Sequence, residues 1–406
     1  MRDSLLIINA GSSSIKFAVY AVAGAVSDPQ RLLRGQIAGI GSDATFCVND
    51  ADGTAHSVDR QPAIASHVDA INGILTWLPS RLSGARLIGA GHRVVHGGPH
   101  HSAPCLITEH TFAELKALTA LAPQHQPHNL AAISALGKLD PTLPQVACFD
   151  TAFHNTQSAT AKRLPLPRQY ADAHGLQRYG FHGLSYAFIR DALARRDDVA
   201  DTARILIAHL GHGASLCAMR AGRSIATTMG FSTLDGLMMG SRCGGLDPGV
   251  LLHLMRAGMD EPMLTDLLYN HSGLKGVSGF SADMRELLNS HAPEAADAID
   301  LYIETLVRAI GSMAAAMEGL DGIVFTGGVG ENAATVRARI TDRLTWLGMT
   351  ISASANAAHA DLISTPDSLV KAWVIPTNEE LAIARLTRAT LARSAIDNRL
   401  RDITAC

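Results

Sequence analysis

A chain of 406 residues is longer than one hydrophobic core usually serves, so two domains are expected. With 47% hydrophobic and 17% charged residues and a formal net charge of -3, it has ample core material and no field that would draw in nucleic acid or an anionic membrane. No segment reaches the roughly 18 apolar residues of a membrane span, and the opening apolar run is too short for a signal-peptide core.

The cysteines (Cys47, Cys105, Cys148, Cys217, Cys243 and Cys406) are scattered with no C-x-x-C pair, which favours reduced thiols and a cytoplasmic address. The first element is an apolar strand, residues 4–8, which runs into Asn9-Ala10-Gly11-Ser12-Ser13-Ser14 and a second strand, residues 15–20. Gly11 lets the backbone turn, and an amide, three hydroxyls and the Lys16 ammonium supply donors suited to phosphate oxygens. The turn is not a Walker A loop, because Lys16-Phe17-Ala18-Val19-Tyr20 alternates like a strand where that motif needs a helix.

Further strands are expected over 86–95, 145–150, 204–209, 215–219, 322–326 and 372–375. Helices fit between them, the best over 111–121 and 297–317, where apolar residues recur at helical spacing. This is an α/β pattern, and the first domain is expected to hand over near Cys148-Phe149-Asp150-Thr151.

Three more glycine-rich turns follow apolar strands: His209-Leu210-Gly211-His212-Gly213-Ala214-Ser215, Met238 to Gly245, and Thr326-Gly327-Gly328-Val329-Gly330-Glu331-Asn332. Any one could be an ordinary turn, since glycine is the default turn residue. Four in one chain point to a polyphosphate held between two lobes, and the turns near Asn9 and Gly211 look like two copies of one structural idea.

Arg93 and Arg242 stand beside glycine turns, where a planar guanidinium can clamp a carboxylate or phosphate; a plain surface arginine is the alternative. Asp150 ends a strand, which suits either a metal site or a helix cap. His182, between glycines, could reach a ligand or could be a satisfied core histidine. His96, His100, His101, His125 and His128 lie on broken loops without a metal-binding frame, which disfavours a transition-metal site. Near the end, Thr377 and Glu380 are spaced as a capping box, which leaves Glu379 free to meet Mg²⁺.

These segments, with 91–98, 149–154, 178–183, 230–242, 278–285 and 375–384, resemble the acetate kinases and their close relatives the propionate kinases, nearly end to end. The superfamily also holds sugar kinases, Hsp70 ATPase domains and actin. The resemblance implies two ribonuclease-H-like lobes of the actin-like ATPase type with a cleft between them. The lobes would be residues 1–152, completed by a C-terminal helix 384–406, and a nucleotide-binding lobe 153–383, usually in a homodimer.

By the same resemblance Asn9 and Glu379 approach Mg²⁺, for which Mn²⁺ can substitute, and Arg93 takes the substrate carboxylate with Val95 and Phe181 near its acyl end. Asp150, His182, Arg242 and His125 are catalytic. Lys16, His209, Leu210, Gly211, His212, Gly213, Asp283, Met284, Arg285, Gly328, Val329, Gly330, Glu331 and Asn332 hold ATP. Transfer of the γ-phosphoryl group to acetate or another short-chain acid is the implied reaction, with propionate as the alternative acceptor.

The sequence departs from the usual pattern at His212, Gln124, Thr233, Ala226 and Gly245, where asparagine, leucine, proline and two acids are common. Gln124 and Thr233 bear on the acyl pocket and leave acid preference open. Two rival readings share the phosphate turns: an ATPase that only changes shape, and a sugar or glycerol kinase whose aspartate deprotonates a hydroxyl. The first does not account for the pair of arginines beside the turns, and the second predicts activity on polyols and none on carboxylates.

Overall fold

The apolar run at the start of the chain forms a central strand buried on both faces, and the first of two sheets grows outward from it. A computed structural model of the chain describes residues 2–11, 13–22, 27–57, 64–82, 84–196 and 199–404. The chain divides into two compact units, Met1–Ala152 with Asn378–Cys406, and Phe153–Thr377.

In the first unit, β1 (Arg2–Ala10), β2 (Ser14–Ala21), β3 (Gln30–Ala38), β4 (Thr45–Asp50), β5 (Ala55–Ser57), β6 (Ala85–Val94), β7 (Cys105–Leu106) and β8 (Gln145–Phe149) make one sheet. Its order is β5-β4-β3-β2-β1-β6-β8-β7. β1 pairs antiparallel with β2 and parallel with β6, and β6 pairs parallel with β8. The second unit contains β9 (Arg204–Leu210), β10 (Ala214–Arg220), β11 (Arg223–Thr227), β12 (Gly322–Thr326) and β13 (Lys371–Val374), ordered β11-β10-β9-β12-β13.

The second sheet repeats the inner order of the first, β3-β2-β1-β6-β8, with the same antiparallel hairpins and the same two parallel steps. This is the ribonuclease-H-like pair of sheets that the α/β pattern and the resemblance lead one to expect. β3, β4, β5, β7 and β11 add strands that the sequence pattern did not reveal. In β3 the alternation is broken by Gly35, which lies where a Cβ would strike the Phe17 ring, so packing rather than pattern selects the residue.

The helices cover these sheets by their apolar faces. In Pro293–Ala316 the residues Ile299, Tyr302, Ile303, Leu306 and Ile310 are buried at helical spacing, and the helix packs on β10. The expected helix over 111–121 is Glu109–Ala117, capped by the Thr108 hydroxyl, followed by a 3₁₀ turn Leu118–Leu121.

The last helix, Glu379–Thr404, lies on β1, β6 and β8 of the first unit. A Cβ at Gly91 of β6 would meet Thr387 Oγ1 and Ile383 of that helix, so the bare backbone of Gly91 sets how closely the two elements approach. The cap of this helix is Asn378, whose Oδ1 accepts from Leu381 N at 2.9 Å and from the Tyr20 hydroxyl at 3.3 Å. The Thr377–Glu380 capping box is therefore not formed, and Thr377 turns to other partners in the second unit.

Candidate active site

In the first unit the ends of neighbouring parallel strands carry the charged groups, the place where α/β sheets present ligand sites. β6 brings Arg93 opposite Cys148 of β8, and the chain then delivers Asp150 one step beyond the strand. Arg93 Nη2 donates to Asp150 Oδ2 at 2.6 Å and Nε donates to Asp150 Oδ1 at 3.1 Å, while Nη1 reaches Asn9 Oδ1 at 3.3 Å. The Asp150 side chain is 2% exposed and that of Arg93 21%. Burial works against the guanidinium charge, but Asp150 and Glu379 outweigh it and hold the Arg93 pKa above its ordinary value.

Glu379, at the start of the last helix, is half-buried. Burial first, then Asp150 and Glu380, push its carboxyl up to about 7 against the pull of Arg93 and Lys16. Asn9, Arg93, Asp150 and Glu379 thus form one electrostatic cluster, with Lys16 of β2 close enough to act on it.

The turns at Gly11 and Gly211 each close through the glycine amide. Gly11 N donates to Ser14 O at 2.8 Å, and Gly211 N donates to Gly213 O at 3.0 Å. They join β1 to β2 and β9 to β10 respectively. Ser12 lies outside the described residues.

Buried amides hold the first turn in register. Asn129 Nδ2 donates to Ala10 O at 2.7 Å and its Oδ1 accepts from Val95 N at 3.0 Å. Gln126 bonds both backbone groups of His96. His125 stands at the start of the same helix, Gln126–Leu139. The His67 ring reaches Gly11 O at 2.7 Å.

In the second unit His182 takes a left-handed backbone, φ 58, at the start of the helix Gly183–Leu193. Its Nδ1 pairs with Ser215 Oγ at 2.8 Å, and its ring stacks on His209 at 4.3 Å between centroids. Ser215 Oγ is also bonded to the Tyr186 hydroxyl. The preceding residue, Phe181, is held by His154, whose Nε2 bonds Phe181 O at 2.9 Å. A Cβ on Gly213 would lie 3.2 Å from Arg242 Nη2 and 3.4 Å from His182 Nε2, so the two side chains converge beside the bare backbone of Gly213. Arg242 Nη1 is steadied by Thr233 O at 2.7 Å.

Next to that spot a cavity of about 620 Å³ is lined by Gly211, His212, Asp283, Met284, Arg285, Gly328, Val329 and Asn332, among others. The glycine-rich turn after β12 is helical, Gly327–Asn332, with its first backbone N–H groups at the end of that strand. Arg285 is exposed and fastened to Asp283 at 2.8 Å, and hydrogen bonds from Arg285 lower the Asp283 pKa to about 2. Although the His212 side chain is exposed, partial desolvation against the cavity wall, with Arg242 beside it, lowers its pKa.

The sequence matches the acetokinase family over residues 4–385. The chain belongs to that family. A relative named acetate kinase in Rhodopseudomonas palustris is 50% identical over 392 residues, 95% of this chain and 98% of its own. Among solved structures, a propionate kinase from Francisella tularensis has a TM-score of 0.87 at 33% identity, covering 95% of this chain and 99% of its own. Porphyromonas gingivalis acetate kinase has a TM-score of 0.86 at 33% identity, covering 96% and 100%.

Within each unit of this acetokinase the expected residues assemble: Asn9, Arg93, Asp150 and Glu379 in one, His182, Arg242 and the cavity wall in the other. Val95 and Phe181 are each buried in their own unit, whereas Gln124 is exposed. The Glu331 carboxylate is engaged within the protein, accepting from Gly327 N of its own loop at 2.8 Å and from Thr377 N at 3.1 Å. Sequence reasoning missed Asn129, Gln126, Ser215 and Tyr186, whose partners lie far along the chain. Ser215 alone carried a signal, as the last residue quoted in the glycine-rich segment His209 to Ser215.

Proposed function

We propose that this acetokinase transfers the γ-phosphoryl group of ATP reversibly to acetate, giving acetyl phosphate and ADP. The supporting observation is the placement of Arg93, at a strand end and oriented by Asp150, in a family whose relatives are named for acetate. A carboxylic acid with a pKa of about 4 to 5 is already ionised at neutral pH, so it needs no general base. Its oxygen forms a bond to the γ-phosphorus as the bond from phosphorus to the bridging oxygen breaks, and the electron pair leaves with ADP.

The difficulty is the meeting of two anions, and cationic groups resolve it. Arg93 holds the carboxylate and Asp150 keeps the guanidinium aimed. His182, fixed by Ser215 and His209, and Arg242, fixed by Thr233, take the charge that grows on the transferring group. Lys16, His209 to Gly213, and Gly328 to Asn332 bind the phosphates and adenosine, with Asp283 to Arg285 across the cavity.

Mg²⁺ belongs to the same proposal. Among the described residues no group of three or more His, Cys, Asp or Glu is arranged to hold a metal. The Asn9 amide and Glu379 carboxylate instead offer a sparse set of hard oxygen donors, which suits a cation that shares its coordination with substrate phosphates and water. When bound, it would neutralise charge on the β- and γ-phosphates; Mn²⁺ accepts the same donors.

Homodimerisation is also proposed. The helix Pro248–Arg256 has no buried residue, and Leu252 and Met255 are 53% and 56% exposed, which offers apolar surface to a second copy. Among the described residues no helix is long and apolar enough to cross a membrane, and the described cysteines are free; we assign the protein to the cytoplasm.

Trapping with hydroxylamine tests the reaction. ATP, Mg²⁺ and acetate or propionate are expected to give acyl hydroxamate faster than butyrate does. ATP consumption with glycerol or glucose and no hydroxamate from any acid would overturn the assignment.

A further inference from the structure

Arg337, on the helix Ala334–Asp342 that follows the nucleotide loop, is fully shut off from solvent at 0% exposure. A buried guanidinium is normally balanced by a carboxylate, yet none of the hydrogen-bond partners of Arg337 among the described residues is one. Nε donates to Asn356 Oδ1 at 2.8 Å, and Nη2 to Asn356 O at 2.8 Å and His359 Nδ1 at 3.0 Å. Nη1 donates to the carbonyls of Gly330 at 2.8 Å and Glu331 at 2.9 Å. These five acceptors match the five N–H donors that a guanidinium carries.

Two of those acceptors belong to the turn Gly327–Asn332, whose Gly328, Val329 and Asn332 line the 620 Å³ cavity. The other three belong to one short segment, the helix Ala353–Ala357 and the residues just after it. That segment is clamped in turn, since Asn356 Nδ2 donates to Ala334 O at 2.9 Å. His359 is exposed and holds a left-handed backbone, φ 51, a conformation that costs a residue with a Cβ. The strain coincides with the position that lets its Nδ1 face Arg337.

We propose that Arg337 is a positioning residue for nucleotide binding, clamping the Gly330 and Glu331 carbonyls to the Asn356–His359 segment so that the loop keeps the shape of the nucleotide cavity. The proposal rests on the reading of that cavity as the ATP site. Arg337 touches no ligand in this scheme. It acts through the backbone, and Lys cannot replace it, because an ammonium has three donors and no planar fork.

The test is calorimetric titration of ADP into the wild-type chain and into Arg337→Lys and His359→Gly, with KM measured for ATP and acetate and Tm recorded. Arg337→Lys is expected to weaken ADP by about tenfold or more, the scale of losing hydrogen bonds from a charged donor. KM for acetate should stay within about twofold, as expected for an independent site.

His359→Gly relieves the backbone strain while removing one acceptor. It is expected to weaken ADP by about threefold with Tm unchanged or raised, which a purely structural role would not produce. Wild-type affinity in both variants would overturn the proposal alone. A wild-type chain that binds no ADP would overturn the nucleotide reading as well.

Discussion

The Arg93 guanidinium and the Asp150 carboxylate lock together across neighbouring strand ends, with Nη2 2.6 Å from Oδ2 and Nε 3.1 Å from Oδ1. The pair leaves the acid little freedom to serve as a proton acceptor. Its remaining lone pairs can still order water or a cation, but its clearest effect is on the direction of Arg93.

Asp150→Asn removes the charge and gives the guanidinium an amide N–H₂ to face. kcat is expected to fall by at least about 10²-fold, the scale of a misplaced transition-state donor. ADP affinity should change by no more than about threefold, because Asp150 does not line the cavity proposed for the nucleotide. Steady-state kinetics and calorimetry together check this, and near-wild-type turnover would show that Asp150 has neither role.

Ser215→Ala removes the hydroxyl that joins His182 Nδ1 to the Tyr186 hydroxyl. The imidazole then keeps its stack on His209 but loses the bond that fixes its tautomer. kcat is expected to drop by about tenfold with KM for acetate nearly constant, since one hydrogen bond is lost at a positioning shell. An unchanged kcat would mean that stacking alone orients His182.

Acid should destabilise the fold through three buried histidines. His92, His96 and His154 are at most 1% exposed, and burial pulls each pKa from 6.5 down to about 4. Their contribution is fully present above about pH 6.5 and is lost as pH falls from 6.5 towards 4, because only the unfolded chain takes up the protons. Each group is worth on the order of 3 kcal/mol once the window is crossed. Glu379, with its raised pKa of about 7, acts in the opposite sense and gains as pH falls from about 7 towards 4.5, offsetting part of the loss. Scanning calorimetry without nucleotide should show Tm falling steadily below pH 6.5; a flat Tm down to pH 5 would contradict the burial of neutral rings.

What the sequence made legible was local. The turns at Asn9 and Gly211 could be read because a strand, a glycine and polar donors fall within a few residues, and the glycines beside His182 and Arg242 marked segments whose side chains converge beside Gly213. The long helix Pro293–Ala316 could be read from its apolar spacing. What could not be read depends on pairs distant in sequence. Asn129 joins Ala10 to Val95, Glu331 reaches Thr377, and Ser185 bonds both His209 and Thr377. The choice of Asn378 over Thr377 as helix cap has the same origin, since Thr377 is drawn off by Ser185 and Glu331 while Tyr20 steadies Asn378. Short strands such as β4, half polar, carry too little periodicity to stand out.

The central claim is that cationic side chains bring a carboxylate and the γ-phosphate of ATP together. The most direct measurement is a crystal structure of the chain with ADP, Mg²⁺ and acetate. We expect the acetate carboxylate within hydrogen-bond reach of the Arg93 guanidinium, ADP in the cavity bounded by Gly328 and Asp283, and His182 with Arg242 at its terminal phosphate. Acetate and nucleotide bound away from both guanidinium groups would contradict the account.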